Sequence, residues 1–369
     1  MGIQESKNRK GRLRRIIARV AAVVCATLLL TVAALAHPAW GIVIDRQGQV
    51  YFSDVDHNTV WKVGADGRPV PFVTNKHSHE LFIDEAGNLY GGHVYYDEAN
   101  DRWINSLWKA TPDGRVTEIL APTADVPKGL GSLMDAQGNT YAISGANDGQ
   151  QAYVLARRRP DGTVETLAGS VSGYADGRGA EAKFAAVQAK VFGPDQALYL
   201  TDAACVRRVG LDGTVTTLGG NPLAGIRRDE HARLLGLAVD RNNNVYVADY
   251  DFHCLRRVAP DGSTTTLLDA GALWSPSGVA VVGDTVYVLE HRPENLTGFL
   301  RAFSGPSARI RVIDAGGRVK TIAALGSWTK ALVVGGAALA VGVALTLLIK
   351  RVLRRKRVSV AAGHSRGAV

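Results

Sequence analysis

Gly236-Leu-Ala-Val-Asp240, Asn244-Val-Tyr-Val-Ala-Asp249, Leu255-Arg-Arg-Val258 and Asp261-Gly262 follow one another along a single stretch of the chain. Three short apolar runs divided by polar turns, the last an Asp-Gly pair suited to positive φ, read as consecutive antiparallel strands. The pattern recurs. An aromatic residue with a polar one three positions later appears as Tyr51 and Asp54, Tyr90 and His93, Tyr141 and Ser144, Tyr199 and Asp202, Tyr246 and Asp249, and Tyr287 and Glu290. The tyrosines are 39, 51, 58, 47 and 41 residues apart. A period near 40–50 residues with strand-like units predicts a β-propeller, because one four-stranded sheet cannot bury both faces without stacking on its neighbours. The expected fold is therefore all-β, with six blades over residues 37–327.

Within each unit the strands can be labelled a to d, with Asp-Gly or Gly-Gly turns between c and d: Asp66-Gly67, Asp113-Gly114, Asp161-Gly162, Asp212-Gly213, Asp261-Gly262 and Gly316-Gly317. The a–b and c–d turns stay minimal, so the length variation falls in the b–c and d–a connections. In an up-and-down blade these connections share one face, which becomes the elaborated face and the expected recognition surface. Strand a starts there and strand d ends there, so both chain ends should leave from it.

The net charge of +9 belongs to the tails. Residues 1–19 carry seven Lys/Arg and one Glu, residues 350–369 carry seven Lys/Arg and no acid, and residues 20–349 are left at −4. A folded body without a basic excess offers no nucleic-acid footprint. Residues 1–15 form a basic N-terminal region, and the apolar segment 16–36 that follows reads as a signal peptide or a signal anchor. Residues 329–349 read as a transmembrane helix, since Ala331–Ile349 lacks charge, and the basic segment 350–369 reads as a cytoplasmic tail. The propeller is then expected outside the cytoplasm at the cell membrane, with its elaborated face towards the bilayer and Trp40 and Trp328 as interfacial aromatics. Its partners would be the membrane and a protein, glycan or membrane-associated ligand on that face. Cys205 and Cys254 begin strand c in adjacent units and read as free thiols, too far apart for a disulfide.

Asp54, Asp202, Asp249 and Glu290 end strand b in one register, with His93 and Ser144 in the same place. Oxygen donors of this kind suit calcium or another divalent ion in the channel, and the same side chains can instead fix the b–c turns by accepting backbone N–H groups. His77-Ser-His79-Glu80 is the densest run of ligand-type residues. Two histidines one residue apart point the same way on a strand, so they could hold a transition metal with Glu80, or simply enter strand a as a polar loop. His253 reads as structural, and His57 has no evident partner.

Tyr246-Val-Ala-Asp-Tyr-Asp-Phe-His-Cys-Leu-Arg-Arg-Val-Ala-Pro-Asp-Gly262 resembles an NHL repeat, and Thr166-Leu-Ala-Gly-Ser-Val-Ser-Gly-Tyr-Ala-Asp-Gly-Arg-Gly-Ala-Glu-Ala-Lys-Phe184 resembles the connection between such repeats. Tyr51-Phe-Ser-Asp-Val-Asp-His-Asn-Thr-Val-Trp-Lys-Val63 is similar also to the gluconolactonase/SMP-30 and strictosidine-synthase-like propellers. The resemblance spans about residues 37–324 and implies a six-bladed propeller that serves as hydrolase, lyase or binding module. In the lactonase-like branch a channel metal is held by a Glu, Asn side chains and an Asp, which implies Glu80 with Asp249 or Asp202. The Asn positions read Leu235-Gly236 and Ser277-Gly278 and do not carry over. The expected function is a membrane-tethered binding module, with a metal-dependent hydrolase of the gluconolactonase/SMP-30 type as the alternative.

Overall fold

The computed structural model describes residues 38–124, 133–144, 152–218, 233–292 and 307–326. Six antiparallel sheets are built from strands taken in chain order. Blade 1 contains β1 (Ile42–Ile44), β2 (Val50–Asp54), β3 (Thr59–Val63) and β4 (Pro69–Thr74). Blade 2 contains β5 (Leu81–Ile83), β6 (Leu89–Asp97), β7 (Arg102–Ala110) and β8 (Val116–Thr123). Blade 3 contains β9 (Leu133–Met134), β10 (Thr140–Ser144), β11 (Ala152–Arg158) and β12 (Val164–Val171). Blade 4 has β14 (Val187–Phe192), β15 (Leu198–Asp202), β16 (Cys205–Val209) and β17 (Thr214–Thr217), with β13 (Gly177–Arg178) added on its outer edge. Blade 5 contains β18 (Leu234–Val239), β19 (Val245–Asp249), β20 (Cys254–Val258) and β21 (Thr264–Asp269). Blade 6 contains β22 (Ser275–Val282), β23 (Thr285–His291), β24 (Ala308–Ile313) and β25 (Val319–Leu325). The six-bladed expectation holds.

The repeated tyrosine has a physical reason. In blades 1 to 5 strand a runs into an aspartate whose carboxylate takes N–H groups of the a–b turn, as Asp45 does for Gln47 and Gln49 at 2.9 and 2.8 Å. The tyrosine hydroxyl then donates to that same carboxylate: Tyr51 to Asp45, Tyr90 to Asp84, Tyr141 to Asp135, Tyr199 to Asp195 and Tyr246 to Asp240, at 2.9–3.4 Å. The ring packs between blades while its polar end is satisfied, which is what a buried tyrosine requires. Burial and the neighbouring aspartate push the Tyr51 and Tyr141 hydroxyls up to about 12.

Apolar side chains fill the seams between sheets. Tyr199 and Val206 of blade 4 meet Leu234, Val245 and Val247 of blade 5, and Ala248 and Leu255 of blade 5 meet Val279, Val286 and Val288 of blade 6. The ring closes without strand exchange, since every blade is one run of chain. Ile42, Val50 and Phe52 of blade 1 pack directly on Leu289, Ile310 and Leu325 of blade 6. Pairing of Ile42 with Phe52, and of Leu325 with Ala308 opposite His291, puts the start of β1 and the end of β25 on the b–c face, as the strand count predicts.

Segments 1–15, 16–36, 329–349 and 350–369 lie outside the described residues. Among the described residues no helix is long and apolar enough to cross a membrane. Trp40, expected as an interfacial aromatic, instead packs on the blade 4–5 core, with its ring 4.9 Å from that of His79.

Candidate functional site: the elaborated face

The acids that end strand b do not face one another as an open set. Each is engaged by a partner within reach of its own blade. Asp202 accepts the Ala185 and Ala186 N–H groups at 2.7 and 2.9 Å and the Arg207 guanidinium at 2.9 Å. Asp249 accepts Arg256 Nε at 2.8 Å, and Glu290 is held by Arg309 and Arg311, the latter through Nε at 3.0 Å. In blade 1 Trp61 Nε1 takes the place of the arginine, donating to Asp54 at 3.1 Å, and His57 Nδ1 lies 2.6 Å from the same carboxylate. Trp61 and Arg256 both stand seven residues after their acid, so strand c supplies the clasp. Ser144 ends β10 opposite Val154, and its side chain lies outside those described.

Glu80 stands immediately before β5 at the channel, where Lys190 of blade 4 reaches across to it at 2.7 Å. The channel itself has a volume of about 260 Å³ and is walled mainly by the aliphatic first strands, including Ile42, Leu81, Leu133, Val191, Leu237 and Val279. Gly236 and Gly278 let the first strands of blades 5 and 6 approach each other and the chain at Trp40. A Cβ on Gly236 would lie 2.8 Å from the Gly278 Cα and 3.3 Å from the Trp40 Cβ. Among the described residues no three His, Cys, Asp or Glu side chains stand together as metal donors. As placed, Glu80, Asp54, Asp202, Asp249 and Glu290 do not fit one calcium shell, because a cation or a ring N–H already occupies each carboxylate.

The structure does bring together His79 and His93, with a residue from the same loop, His77. His77 Nε2 lies 3.2 Å from His79 Nε2, and the His77 backbone N–H donates to His93 Nδ1 at 2.8 Å. His77 Nδ1 is 3.0 Å from Asn58 Oδ1; that oxygen only accepts, so Nδ1 carries the proton and Nε2 presents a lone pair to His79. Burial, helped by Lys76, holds His93 below the usual imidazole value, which suits an acceptor Nδ1. These groups form the floor of a cleft of about 660 Å³ completed by Val94, Tyr95, Tyr96, Trp103 and Asn105. The cleft exists because β6 and β7 are nine residues each and extend the b–c insertion of blade 2 as a twisted ribbon. Tyr95, Tyr96 and Trp103 on that ribbon are 40%, 42% and 57% exposed, and Tyr96 and Trp103 meet edge to face at 5.2 Å.

Several of these residues escape a reading of the sequence. Lys190 carries no local motif, since its partner is 110 positions away. The strand-c arginines are visible as Cys205-Val-Arg-Arg-Val209 and Cys254-Leu-Arg-Arg-Val258, where alternation sends one arginine of each pair inward. His57, left without a partner above, is the partner of Asp54. Hydrogen bonding to that carboxylate raises the His57 imidazole, while the Asp54 carboxyl, pushed up by burial, is brought below its usual range by His57 and Trp61. Cys205 and Cys254 form no disulfide, and His253 bonds to Ser275 Oγ at 2.7 Å.

Neither protein-family models nor curated proteins give a match to the chain. Among solved structures it is similar to virginiamycin B lyase from Staphylococcus aureus, at 14% identity over 78% of this chain and 85% of that one, with a TM-score of 0.42. It is similar to a gluconolactonase from Xanthomonas campestris at 12% identity, over 69% and 84% of the two chains, with a TM-score of 0.46. It is also similar to a luciferin-regenerating enzyme at 15% identity, over 78% and 94%, with a TM-score of 0.47. No activity follows from likenesses of this degree. The protein is a six-bladed β-propeller whose structural neighbours include gluconolactonase and virginiamycin B lyase propellers.

Proposed function

We propose that the protein is a membrane-tethered recognition propeller on the extracytoplasmic side, and that the blade 2 cleft takes a glycan. One observation carries this reading: Tyr95, Tyr96 and Trp103 present aromatic surface to solvent around a single cleft that also offers the Asn58 and Asn105 amides. Exposed aromatics gathered at one place mark a binding surface rather than a core. Flat rings beside hydrogen-bonding amides suit a sugar, which has an apolar face and a polar edge. The tether is supported by the charge-free run 331–349 with its basic flank, and by both ends of the propeller leaving the elaborated face. That topology favours a ligand near the bilayer, such as an envelope glycan. The full chain in detergent, applied to a glycan array, should retain a restricted set of oligosaccharides and lose them in Trp103→Ala. Retention of no glycan would overturn the reading.

A hydrolase without a metal, unlike the metal-dependent gluconolactonase/SMP-30 type expected from the sequence, would draw on the Asp54–His57 pair, in which a buried carboxylate holds an exposed imidazole in one tautomer. Such a pair can act as a general base. Lactone hydrolysis that survives EDTA and is lost in His57→Gln would support it.

A further inference from the structure

We infer that His77 and His79 form a two-nitrogen chelate for a borderline transition ion, zinc or copper(II), at the floor of the cleft. The ion's remaining positions would open towards the space where the ligand enters. The geometry is that of paired ligands. Two imidazole nitrogens each bonded to zinc at about 2.0–2.1 Å in a tetrahedral arrangement stand about 3.3 Å apart. His77 Nε2 and His79 Nε2 stand 3.2 Å apart, so one ion can bridge them with little movement of either ring. The His77 tautomer is set in advance: its Nδ1 proton is held by Asn58 Oδ1, which leaves Nε2 as a donor of electrons, the outer arrangement usual around metal-bound histidines. His79 Nε2, which gives its N–H to that lone pair in the metal-free pair, loses the proton when the ion binds, its ring taking the Nδ1–H tautomer. The backbone is restrained as well, because Ser78 between the two histidines is buried and bonded to the Gly92 carbonyl, and the His77 N–H is bonded to His93. The ring of His79 lies against Trp40. Imidazole ligands favour zinc, copper and nickel over calcium, so this chemistry differs from that of an oxygen site in the channel. Glu80, next in sequence, is committed to Lys190, and the chelate is argued without it.

With two protein donors the ion needs further ligands from water or from a bound molecule. In the cleft assigned above to glycan recognition these would be hydroxyl or carboxylate oxygens. The metal site stands on its own geometry, and it can hold where glycan recognition fails.

Copper(II) titrated into the full chain in detergent tests this directly. One equivalent should bind, with an electron paramagnetic resonance spectrum showing hyperfine coupling to two imidazole nitrogens. His77→Ala and His79→Ala should each weaken binding at least tenfold. Asn58 has φ +48°, so its side chain is best removed as Asn58→Gly, which tolerates that backbone. Loss of this outer partner should cost about tenfold in affinity, and Asn58→Asp, which keeps the acceptor, should restore it. Binding should weaken in acid, because a protonated imidazole cannot ligate the ion. Absence of stoichiometric copper, or equal binding by wild type and both histidine variants, would overturn the inference and leave the two rings as a hydrogen-bonded pair. The glycan array run on metal-free protein separates this result from a failure of the recognition reading.

Discussion

Replacing Arg207 by Met should destabilise the propeller more than any other single change at the ends of the b strands. Arg207 is fully buried and Asp202 beside it has no exposed side-chain surface. The guanidinium bonds Asp202 at 2.9 Å, the Ala175 carbonyl at 2.7 Å and Asp176 at 2.9 Å, and it lies 4.7 Å from the centre of the Tyr174 ring. It therefore ties the connection between blades 3 and 4 to β16. Removing one member of a buried ion pair leaves an uncompensated charge and costs about 3–5 kcal/mol. For a folded body of roughly 290 residues (38–326) the entropy of unfolding is about 0.6 kcal/mol per degree, so the expected fall in Tm is about 5–8 °C. Arg207→Lys should recover little of it, because a single ammonium cannot reach three acceptors in different directions. Arg207→Met with Asp202→Asn should lose less than Arg207→Met alone, since the stranded charge has gone. Scanning calorimetry of the four proteins reads these differences. A fall below 2 °C in Arg207→Met, or a double variant destabilised as much as Arg207→Met alone, would refute the reading of the b-strand acids as clasps.

The Asp54–His57 pair fixes a pH window. A raised His57 stabilises the fold below its ordinary value of 6.5 and loses that effect as pH rises through its folded value; a lowered Asp54 contributes above 3.8 and loses that as pH falls through its own. The Tm difference between wild type and His57→Gln should thus be largest near pH 5 and shrink above neutrality, and a pH-independent difference would refute the pairing. Millimolar calcium should leave the wild-type Tm unchanged, because the channel acids are already paired; a rise of several degrees would show a channel site. For orientation, single cysteines at Glu98, in the β6–β7 turn, and at Ala65, in the opposite β3–β4 turn, can carry a fluorophore in vesicles. Headgroup-attached quenchers should act more strongly at Glu98, and the reverse order would contradict a membrane-facing elaborated face.

The fold was legible because its determinants are local and repeated. An aspartate after strand a, a tyrosine in strand b and a glycine with positive φ between c and d recur six times with few exceptions, and each does its work within about 20 residues. The elaborated face followed from the same count. The site was less legible, because sequence register says where a side chain starts and not what it meets. Asp202 and Asp249 share a register that suggested convergence, yet each turns to an arginine on the next strand. Glu80 and Lys190 meet only because the ring brings blades 2 and 4 to one channel. His79 and His93 were visible as candidates, but their company with Asn58 and the exposed ring of Trp103 depends on the length and twist of one hairpin.

Glycan binding compared between two variants tests the central claim most directly. One is Trp103→Ala, at the rim of the blade 2 cleft, and the other is Glu80→Gln with Lys190→Met, which removes the ion pair in the channel while keeping its shape. With oligosaccharides retained by the wild-type protein, binding should fall at least tenfold in Trp103→Ala and stay within twofold in the channel variant. Loss in the channel variant with full binding by Trp103→Ala would place the ligand in the channel and contradict the account.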